Sequence, residues 1–475
     1  MSEIMMQTIK FGTDGWRAIM KTEFTDQNLQ RVAQAFAIFV MTEARKEGRS
    51  AKIVIGYDYR DRSDEFANMF TRILLANGIE VTLSDRPIPT QTVSRAVINH
   101  GYHYGIAITA SHNPGAYNGV KIKDAGGSSA ELAVTDAVEA LIDSEPVQMA
   151  AEDAVDACIQ DIFSEYMKCL KEYLKLEWFN KRPLNIVIDS MHGVGAKHIE
   201  ELLKDTAVKV TTVRSERDIT FGGVAPEPIL KNFGQIVEWM KEDKYDAAFA
   251  TDGDADRIGA VRQGGTFVSP GTLLTLIMIH LVEDMGFSGD VVTTVSNTAL
   301  IYKVAKALDL KVHETPVGFK YLVDIMRHEN VLIAGEESGG LAFQGYMFER
   351  DGLISALLLI QMMEYRNQTF DEILNDVEAK YGQFIYSRFD THYPEASKPK
   401  LLAHLQTLQP AEIAGIKVLN KNKSDGIKFE LEDNAWLLFR MSGTEPLLRI
   451  YGEASIPGKS DAFVQWGRDL ADSFI

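Results

Sequence analysis

Three aspartates at alternate positions, in Asp252-Gly253-Asp254-Ala255-Asp256-Arg257, give the chain its sharpest chemical signal. In an extended or turning loop they bring three carboxylates onto one cation. Three hard oxygen ligands suit Mg²⁺, which keeps positions open for phosphate and water. A calcium loop of the EF-hand type fails, because it needs glycine after the third acid and glutamate at its twelfth position, where this chain has Arg257 and Gln263. A second signal is Thr109-Ala110-Ser111-His112-Asn113-Pro114, in which a serine beside a histidine is stopped by Pro114 and followed by Gly115. It reads as a held, exposed hydroxyl. A third is Arg440-Met441-Ser442-Gly443-Thr444-Glu445-Pro446. There Arg440, Ser442, Gly443 and Thr444 offer one guanidinium, two hydroxyls and a glycine amide, a composition that binds a phosphate that is held but not transferred. Arg449 either adds charge to this cradle or pairs with Glu445. Near the start, Gly12 and Gly15 flank Thr13-Asp14 in a turn with exposed backbone amides, and Arg17 can reach a phosphate bidentately.

The elements that position these residues recur along the chain. Gly105–Ile108 is a short apolar run that reads as a buried strand, so the Ser111 loop leaves a strand end, where open α/β sheets place their ligands. Before it come a strand over 52–58, a helix with Phe66, Met69, Phe70, Ile73 and Leu74 on one face, a strand over 79–83, and a helix through Val93 and Val97. The pattern returns with strands over 184–189, 208–213 and 245–250, the last delivering the Asp252 loop. It returns again with strands over 290–295 and 330–334, which delivers Gly335-Glu336-Glu337-Ser338-Gly339-Gly340. Three such units form a weak repeat of architecture. After a helix over 353–365 the texture changes. The polar stretch 386–400, with Pro394 and Pro399, reads as a linker. Strands over 426–431 and 435–440 and a helix from Ser460 make a small α+β domain. The expected domains are 1–155, 156–260, 261–383 and 384–475.

Bulk properties narrow the partners. The chain has 475 residues, 45% hydrophobic and 24% charged, with a formal charge of −18 that argues against nucleic acid or an anionic membrane. An anionic small substrate is still compatible, through a locally basic pocket. The two cysteines, Cys158 and Cys169, form no CxxC pair; a reduced compartment is expected, with both thiols buried in a helix. Met1–Lys10 lacks the apolar core of a signal peptide, and the apolar stretches 273–279 and 353–363 are too short to span a bilayer, so the cytoplasm is the expected location.

The Ser111, Asp252, Glu336 and Arg440 stretches, in this order, resemble those of the α-D-phosphohexomutase superfamily, and more closely its phosphoglucomutase and phosphomannomutase members, over nearly the whole chain. The resemblance implies three similar mixed-sheet α/β domains plus a C-terminal α+β domain around a central cleft. It implies that Ser111 carries a phosphate in the resting enzyme. One Mg²⁺ per chain would bridge that phosphate to Asp252, Asp254 and Asp256. Gly12-Thr13-Asp14-Gly15-Trp16-Arg17 matches the family's opening loop, which puts Gly12, Thr13 and Arg17 beside the active site. His112 and Lys121 match positions near the phosphoserine, for proton transfer or phosphate stabilisation, with Asn118-Gly119 read as a turn presenting Lys121. Arg257 matches an arginine that contacts phosphate, and Lys320, in Thr315-Pro316-Val317-Gly318-Phe319-Lys320, a contact to substrate. Glu336 and Ser338 fall in the sugar-recognition loop, where a carboxylate and a hydroxyl can bond adjacent sugar hydroxyls.

The activity implied is reversible interconversion of α-D-glucose 1-phosphate and glucose 6-phosphate through glucose 1,6-bisphosphate, which also serves as activator. Glu336-Glu337-Ser338 resembles the glucose-preferring form; dual-specificity members more often have Met at the second place and phosphoglucosamine mutases Gln. Phosphomannomutase or dual specificity is the alternative. The expected partner is a small hexose phosphate, and the expected assembly a monomer or homodimer. A phosphatase need not retain a bisphosphate, so the separate cradle speaks against one. A non-catalytic sensor would be expected to have lost one of these motifs.

Overall fold

In the computed structural model, which describes residues 8–242, 244–441 and 447–475, every apolar run read above as a strand becomes one. β1 (Trp16–Ile19), β2 (Lys52–Tyr57), β3 (Glu80–Ser84), β4 (Tyr104–Ile108), β5 (Tyr117–Lys123) and β6 (Ile159–Gln160) form one sheet in the order β1-β5-β4-β2-β3-β6. β3, β2 and β4 run parallel and β5 returns antiparallel beside β4. Ile53, Val54 and Ile55 are buried together because helices cover both faces of such a sheet. β7 (Asn185–Asp189), β8 (Lys209–Val213), β9 (Ala247–Thr251), β10 (Ile258–Arg262) and β11 (Thr266–Val268) repeat the plan in the order β11-β10-β9-β7-β8. Again three strands are parallel and the fourth, β10, is antiparallel. β12 (Asp290–Thr294), β13 (Val312–Thr315) and β14 (Val331–Gly335) give the parallel trio a third time. In each trio the last strand in sequence, β4, β9 or β14, ends in one of the polar loops. β15 (Leu341–Phe343) leads into the helix Gly352–Arg366, whose apolar residues are buried all round. Among the described residues no helix is long and apolar enough to cross a membrane.

The C-terminal residues form an antiparallel sheet of β16 (Ile385–His392), β17 (Glu412–Ile413), β18 (Ile416–Asn422), β19 (Ile427–Leu431), β20 (Trp436–Met441) and β21 (Leu447–Ala454), ordered β16-β21-β20-β19-β18-β17. The stretch 386–400 is therefore no linker. β16 pairs with β21 along its full length, and Pro399 sits in the first turn of the helix Lys398–Thr407, where a missing N–H costs nothing. Its polar composition reflects an edge strand with alternate residues in water.

The chain divides into two compact units, Met1–Val268 with Gly339–Phe370, and Ser269–Ser338 with Asp371–Ile475. Within the second, the C-terminal sheet is bonded to the end of β12. Val295 packs with Trp436, Leu438 and Tyr451, the Lys428 ammonium donates to the Val295 carbonyl (2.7 Å), and Glu453 accepts from Ala299 N (2.7 Å) and Trp436 Nε1 (3.0 Å). Of the two thiols, Cys158 is buried at the end of a 3-10 turn, whereas Cys169, on the helix Phe163–Tyr173, is only half-buried.

In the first unit Asp351 caps the helix Gly352–Arg366, accepting from Leu353 N (2.9 Å) and Ile354 N (3.1 Å). It also accepts from the Tyr166 (2.9 Å) and Tyr346 (2.8 Å) hydroxyls and from Gln91 Nε2 (3.1 Å). Burial outweighs these donors and pushes its carboxyl up to about 6. The folded chain then holds a proton that the unfolded chain releases, so this group costs stability as pH rises from about 4 to about 6, and the cost stays constant above. Asp351→Asn keeps the cap oxygen and removes the charge. The melting temperature of the variant relative to the unaltered chain is expected to rise across that window and hold above it; a difference that does not change with pH would contradict the assignment.

Candidate phosphoryl-transfer site

Two sets of residues emerge, one in each unit. In the first unit, β4 and β9 end side by side in chemistry. Ser111 follows β4 with φ +52°, a left-handed conformation unusual for a residue with a side chain. It is fully buried, not exposed as its loop suggested, because Oγ turns inward and donates to Asp252 Oδ2 at 2.8 Å. The two loops touch backbone to backbone: a Cβ on Gly253 would lie 2.6 Å from the Ser111 carbonyl oxygen, and one on Gly193 2.5 Å from that of Gly253. Only glycine permits this approach.

Asp252, Asp254 and Asp256 are fully buried, and one oxygen from each lies within 4.8 Å of the others. Ala255 between them takes φ +64°, which lets alternate carboxylates turn to one side. Lys121 Nζ donates to Asp254 Oδ2 (2.8 Å) and Asp256 Oδ2 (2.9 Å) and lies 3.1 Å from Asp14 Oδ2. Arg350 donates to Asp14 (2.7 Å) and Asp256 (2.8 Å), and Thr90 Oγ1 to Asp254 (2.7 Å). Asp254 Oδ1 and Asp256 Oδ1, both buried, have no hydrogen-bond partner. Buried carboxylate oxygens left open in this way fit a hard divalent cation.

Burial would lower the Lys121 ammonium, but Asp14, Asp254 and Asp256 outweigh it and hold the group charged. Burial would also raise Asp14, yet Lys121, Arg350 and Arg17 hold it well below the usual carboxylate range. Burial, with Arg257, Arg17 and Lys121 facing it, drives His112 well below its ordinary value, so its ring is neutral. His112 Nδ1 lies 3.5 Å from Ser111 Oγ.

The other residues singled out in this unit are placed as follows. Arg17, on β1, donates to Asp14 Oδ2 (2.7 Å) and Asn113 Oδ1 (3.4 Å). Gly12 N donates to Gly15 O (2.9 Å), closing the turn that carries Asp14, and Thr13 is exposed. Arg257 follows the acidic loop, its amide donating to Asp252 Oδ1 at 3.1 Å. Lys121 corrects one expectation: Tyr117–Lys123 is strand β5, not a turn, and Asn118, Lys121 and Lys123 point to buried partners instead of water. Polar residues bonded internally mimic a loop in sequence.

In the second unit, Glu336 follows β14 and is buried, with Oε1 accepting from Gly318 N at 3.0 Å. Glu337 accepts from Thr294 Oγ1 (3.1 Å), and Ser338 is half-buried. Lys320 lies in the first turn of the helix Phe319–His328, with Nζ 5.0 Å from the centre of the Tyr321 ring. Asp425 Oδ2 accepts from both Val317 N (2.9 Å) and Arg440 Nε (2.8 Å), tying the Lys320 loop to the cradle arginine. Arg449 lies 3.6 Å from Asp390. Ser442, Gly443, Thr444 and Glu445 lie outside the described residues.

Models of the four phosphoglucomutase/phosphomannomutase domains match in order: alpha/beta/alpha domain I over residues 8–149, domain II over 164–265, domain III over 270–381 and the C-terminal domain over 401–462. The chain belongs to the phosphoglucomutase/phosphomannomutase family. It is thus an α-D-phosphohexomutase, one of the intramolecular phosphotransferases that isomerise sugar phosphates. It is 29% identical over 467 residues to a phosphoglucomutase/phosphomannomutase of Thermococcus kodakarensis, covering 98% of this chain and 99% of that one. It is 28% identical over 453 residues to a phosphoglucosamine/phosphogalactosamine mutase of Sulfurisphaera tokodaii, covering 94% and 95%. Among solved structures, one from Thermus thermophilus assigned as a phosphomannomutase superposes with a TM-score of 0.87 at 32% identity, covering 98% of this chain and 99% of that one.

Against this phosphohexomutase frame, sequence reasoning passed over Asp14, Arg350, Thr90, Asp58 and Arg60, all of which touch the first set of residues or its loops. Asp58 and Arg60 carried a signal, as a charged cluster at the end of β2. Arg350 carried none: only the fold brings it to Asp14 and Asp256.

Proposed function

We propose that the protein is a phosphoglucomutase that interconverts α-D-glucose 1-phosphate and glucose 6-phosphate. The observation that carries phosphoryl transfer is Ser111 Oγ bonded at 2.8 Å to one of three clustered, buried aspartates, two of which keep an oxygen without a hydrogen-bond partner. Asp252, Asp254 and Asp256, with the Ser111 oxygen, would hold Mg²⁺, which when bound neutralises charge on the phosphoryl group.

Phospho-Ser111 gives its phosphoryl group to the free sugar hydroxyl. The bond to Oγ breaks, a bond to the sugar oxygen forms, the sugar hydroxyl proton passes to a base, and the departing Oγ takes up a proton to become the serine hydroxyl. The product is glucose 1,6-bisphosphate. After the sugar reverses, Ser111 Oγ takes the other phosphoryl group. His112, neutral and 3.5 Å from Oγ, is placed to exchange the proton. Lys121 keeps its charge for the phosphate. Arg17 and Arg257 supply further cations. The phosphate not in transfer falls to Arg440, Ser442, Gly443, Thr444 and Arg449, and the sugar hydroxyls to Glu336, Ser338 and Lys320.

Glucose is preferred on the strength of Glu336-Glu337-Ser338, where Glu336 is oriented by the Gly318 amide. In a Mg²⁺ assay with glucose, mannose and glucosamine 1-phosphates, each primed with its 1,6-bisphosphate, kcat/KM for glucose is expected to exceed the others by at least about tenfold, worth about 1.4 kcal/mol. Equal rates on mannose would mean a dual enzyme, and preference for glucosamine would reassign the substrate while leaving the transfer chemistry in place.

A further inference from the structure

We infer that Arg60 and Asp58, a buried pair at the end of β2, are positioning residues that clamp the Ser111 peptide from both sides and so set the attack geometry of its hydroxyl. The inference rests on the phosphoryl-transfer reading of Ser111. Arg60 is fully buried, yet its guanidinium is spent on main-chain oxygens of one loop. It donates to the carbonyls of Ser111 (2.5 Å), Asn113 (2.6 Å), Pro114 (3.0 Å) and Tyr117 (3.2 Å). A planar fork with several fixed donors can meet such a set at once; a lysine ammonium cannot.

The other side of the peptide is reached through Asp58. Its Oδ2 accepts from Thr109 Oγ1 (2.6 Å), and that oxygen accepts from Ser111 N (2.8 Å). The pair is held in turn: Asp58 Oδ1 accepts from Arg60 N (3.0 Å) and Ser63 Oγ (2.9 Å), Arg60 Nε lies 3.3 Å from Asp58 Oδ2, and Arg217 donates to Arg60 O (3.1 Å). The Phe221 ring, 4.8 Å from the guanidinium carbon, covers it. Ser111 thus has its N–H and its C=O fixed by one ion pair while it sits at φ +52°. A serine in that conformation needs such over-determination, because a free loop would relax to negative φ. Neither Arg60 nor Asp58 touches the Ser111 hydroxyl; they act through its backbone.

The test uses the full chain with Mg²⁺, glucose 1-phosphate and glucose 1,6-bisphosphate. Steady-state kcat and KM are read beside the rate at which Ser111 gains a phosphoryl group, followed by mass spectrometry. Arg60→Ala is expected to lower kcat and the Ser111 phosphorylation rate by about 100-fold with KM changed less than about threefold, the signature of a misplaced nucleophile. Guanidinium ion added at millimolar concentration should recover at least about tenfold of that loss, and Arg60→Lys should recover less than guanidinium does. Thr109→Val, which cuts only the Asp58 relay, should lower kcat about fivefold to tenfold. A folded Arg60→Ala with kcat within about threefold of the unaltered chain, or a loss that guanidinium does not move, would overturn the inference. If Arg60→Ala does not fold, Thr109→Val decides, and unchanged kcat there overturns it. An unaltered chain that never phosphorylates Ser111 would instead sink the phosphoryl-transfer reading.

Discussion

Ser111→Ala is expected to lower turnover of every hexose 1-phosphate by at least about 10⁴-fold and to abolish uptake of a phosphoryl group from glucose 1,6-bisphosphate. The reaction as proposed moves phosphate only by way of this oxygen. Water in its place would leave inorganic phosphate and end the cycle, so the variant should not gain isomerase activity from a substitute nucleophile. The substitution removes the hydrogen bond to Asp252 and the longer one to His112 from a loop whose backbone is held by Arg60 and Thr109, so the fold is expected to survive. Circular dichroism and a melting curve within a few degrees of the unaltered chain would establish that. Turnover within tenfold of the unaltered chain would remove Ser111 from the mechanism.

Stripping divalent metal with a chelator is expected to cost at least about 10³-fold in turnover, with Mg²⁺ restoring it. The physical ground is a charge imbalance built into the fold. Asp252 is driven up by burial and by Asp256 and Asp254 beside it, more than Arg257 and Lys121 bring it down, while the hydrogen bonds of Lys121 and Arg350 go to Asp254, Asp256 and Asp14. A divalent ion would relieve that repulsion and fill the two open oxygens of Asp254 and Asp256. A second readout is independent of turnover. Mg²⁺ should raise the melting temperature by mass action, and Asp256→Asn should blunt that rise. Full activity in excess chelator, or a melting temperature indifferent to Mg²⁺ in the unaltered chain, would contradict the metal assignment.

Much of this was legible before any coordinate. The first two parallel trios showed as short apolar runs ending in a loop with a distinct chemical composition, since strands buried on both faces leave continuous hydrophobic stretches. In the third only β12 and β14 did, and β13, with His313 and Glu314, was passed over. Thus Gly105–Ile108 led to Ser111, Tyr245–Ala250 to the aspartates and Asn330–Ala334 to Glu336. The two stretches misread as loop share one cause. β5 and β16 are strands whose polar residues either bond internally, as Asn118 and Lys121 do, or face water at a sheet edge, as Arg388 and Asp390 do, and pattern alone reads both as loops. The burial of Ser111 and the roles of Asp14 and Arg350 were invisible because they depend on contacts between residues far apart in sequence, such as Arg350 with Asp14.

The bonding of the C-terminal sheet to the end of β12 also bears on how such enzymes can be recombined. Trp436, Lys428 and Glu453 are buried against Val295 and Ala299, and Asp425 grips Val317 and Arg440 together. A graft of residues 384–475 alone would therefore strand a buried ammonium and a buried carboxylate on a foreign surface. Lys428, Trp436 and Glu453 have to stay with Val295 and Ala299, so under the proposed function the residues assigned to the sugar and to the held phosphate would travel between relatives together.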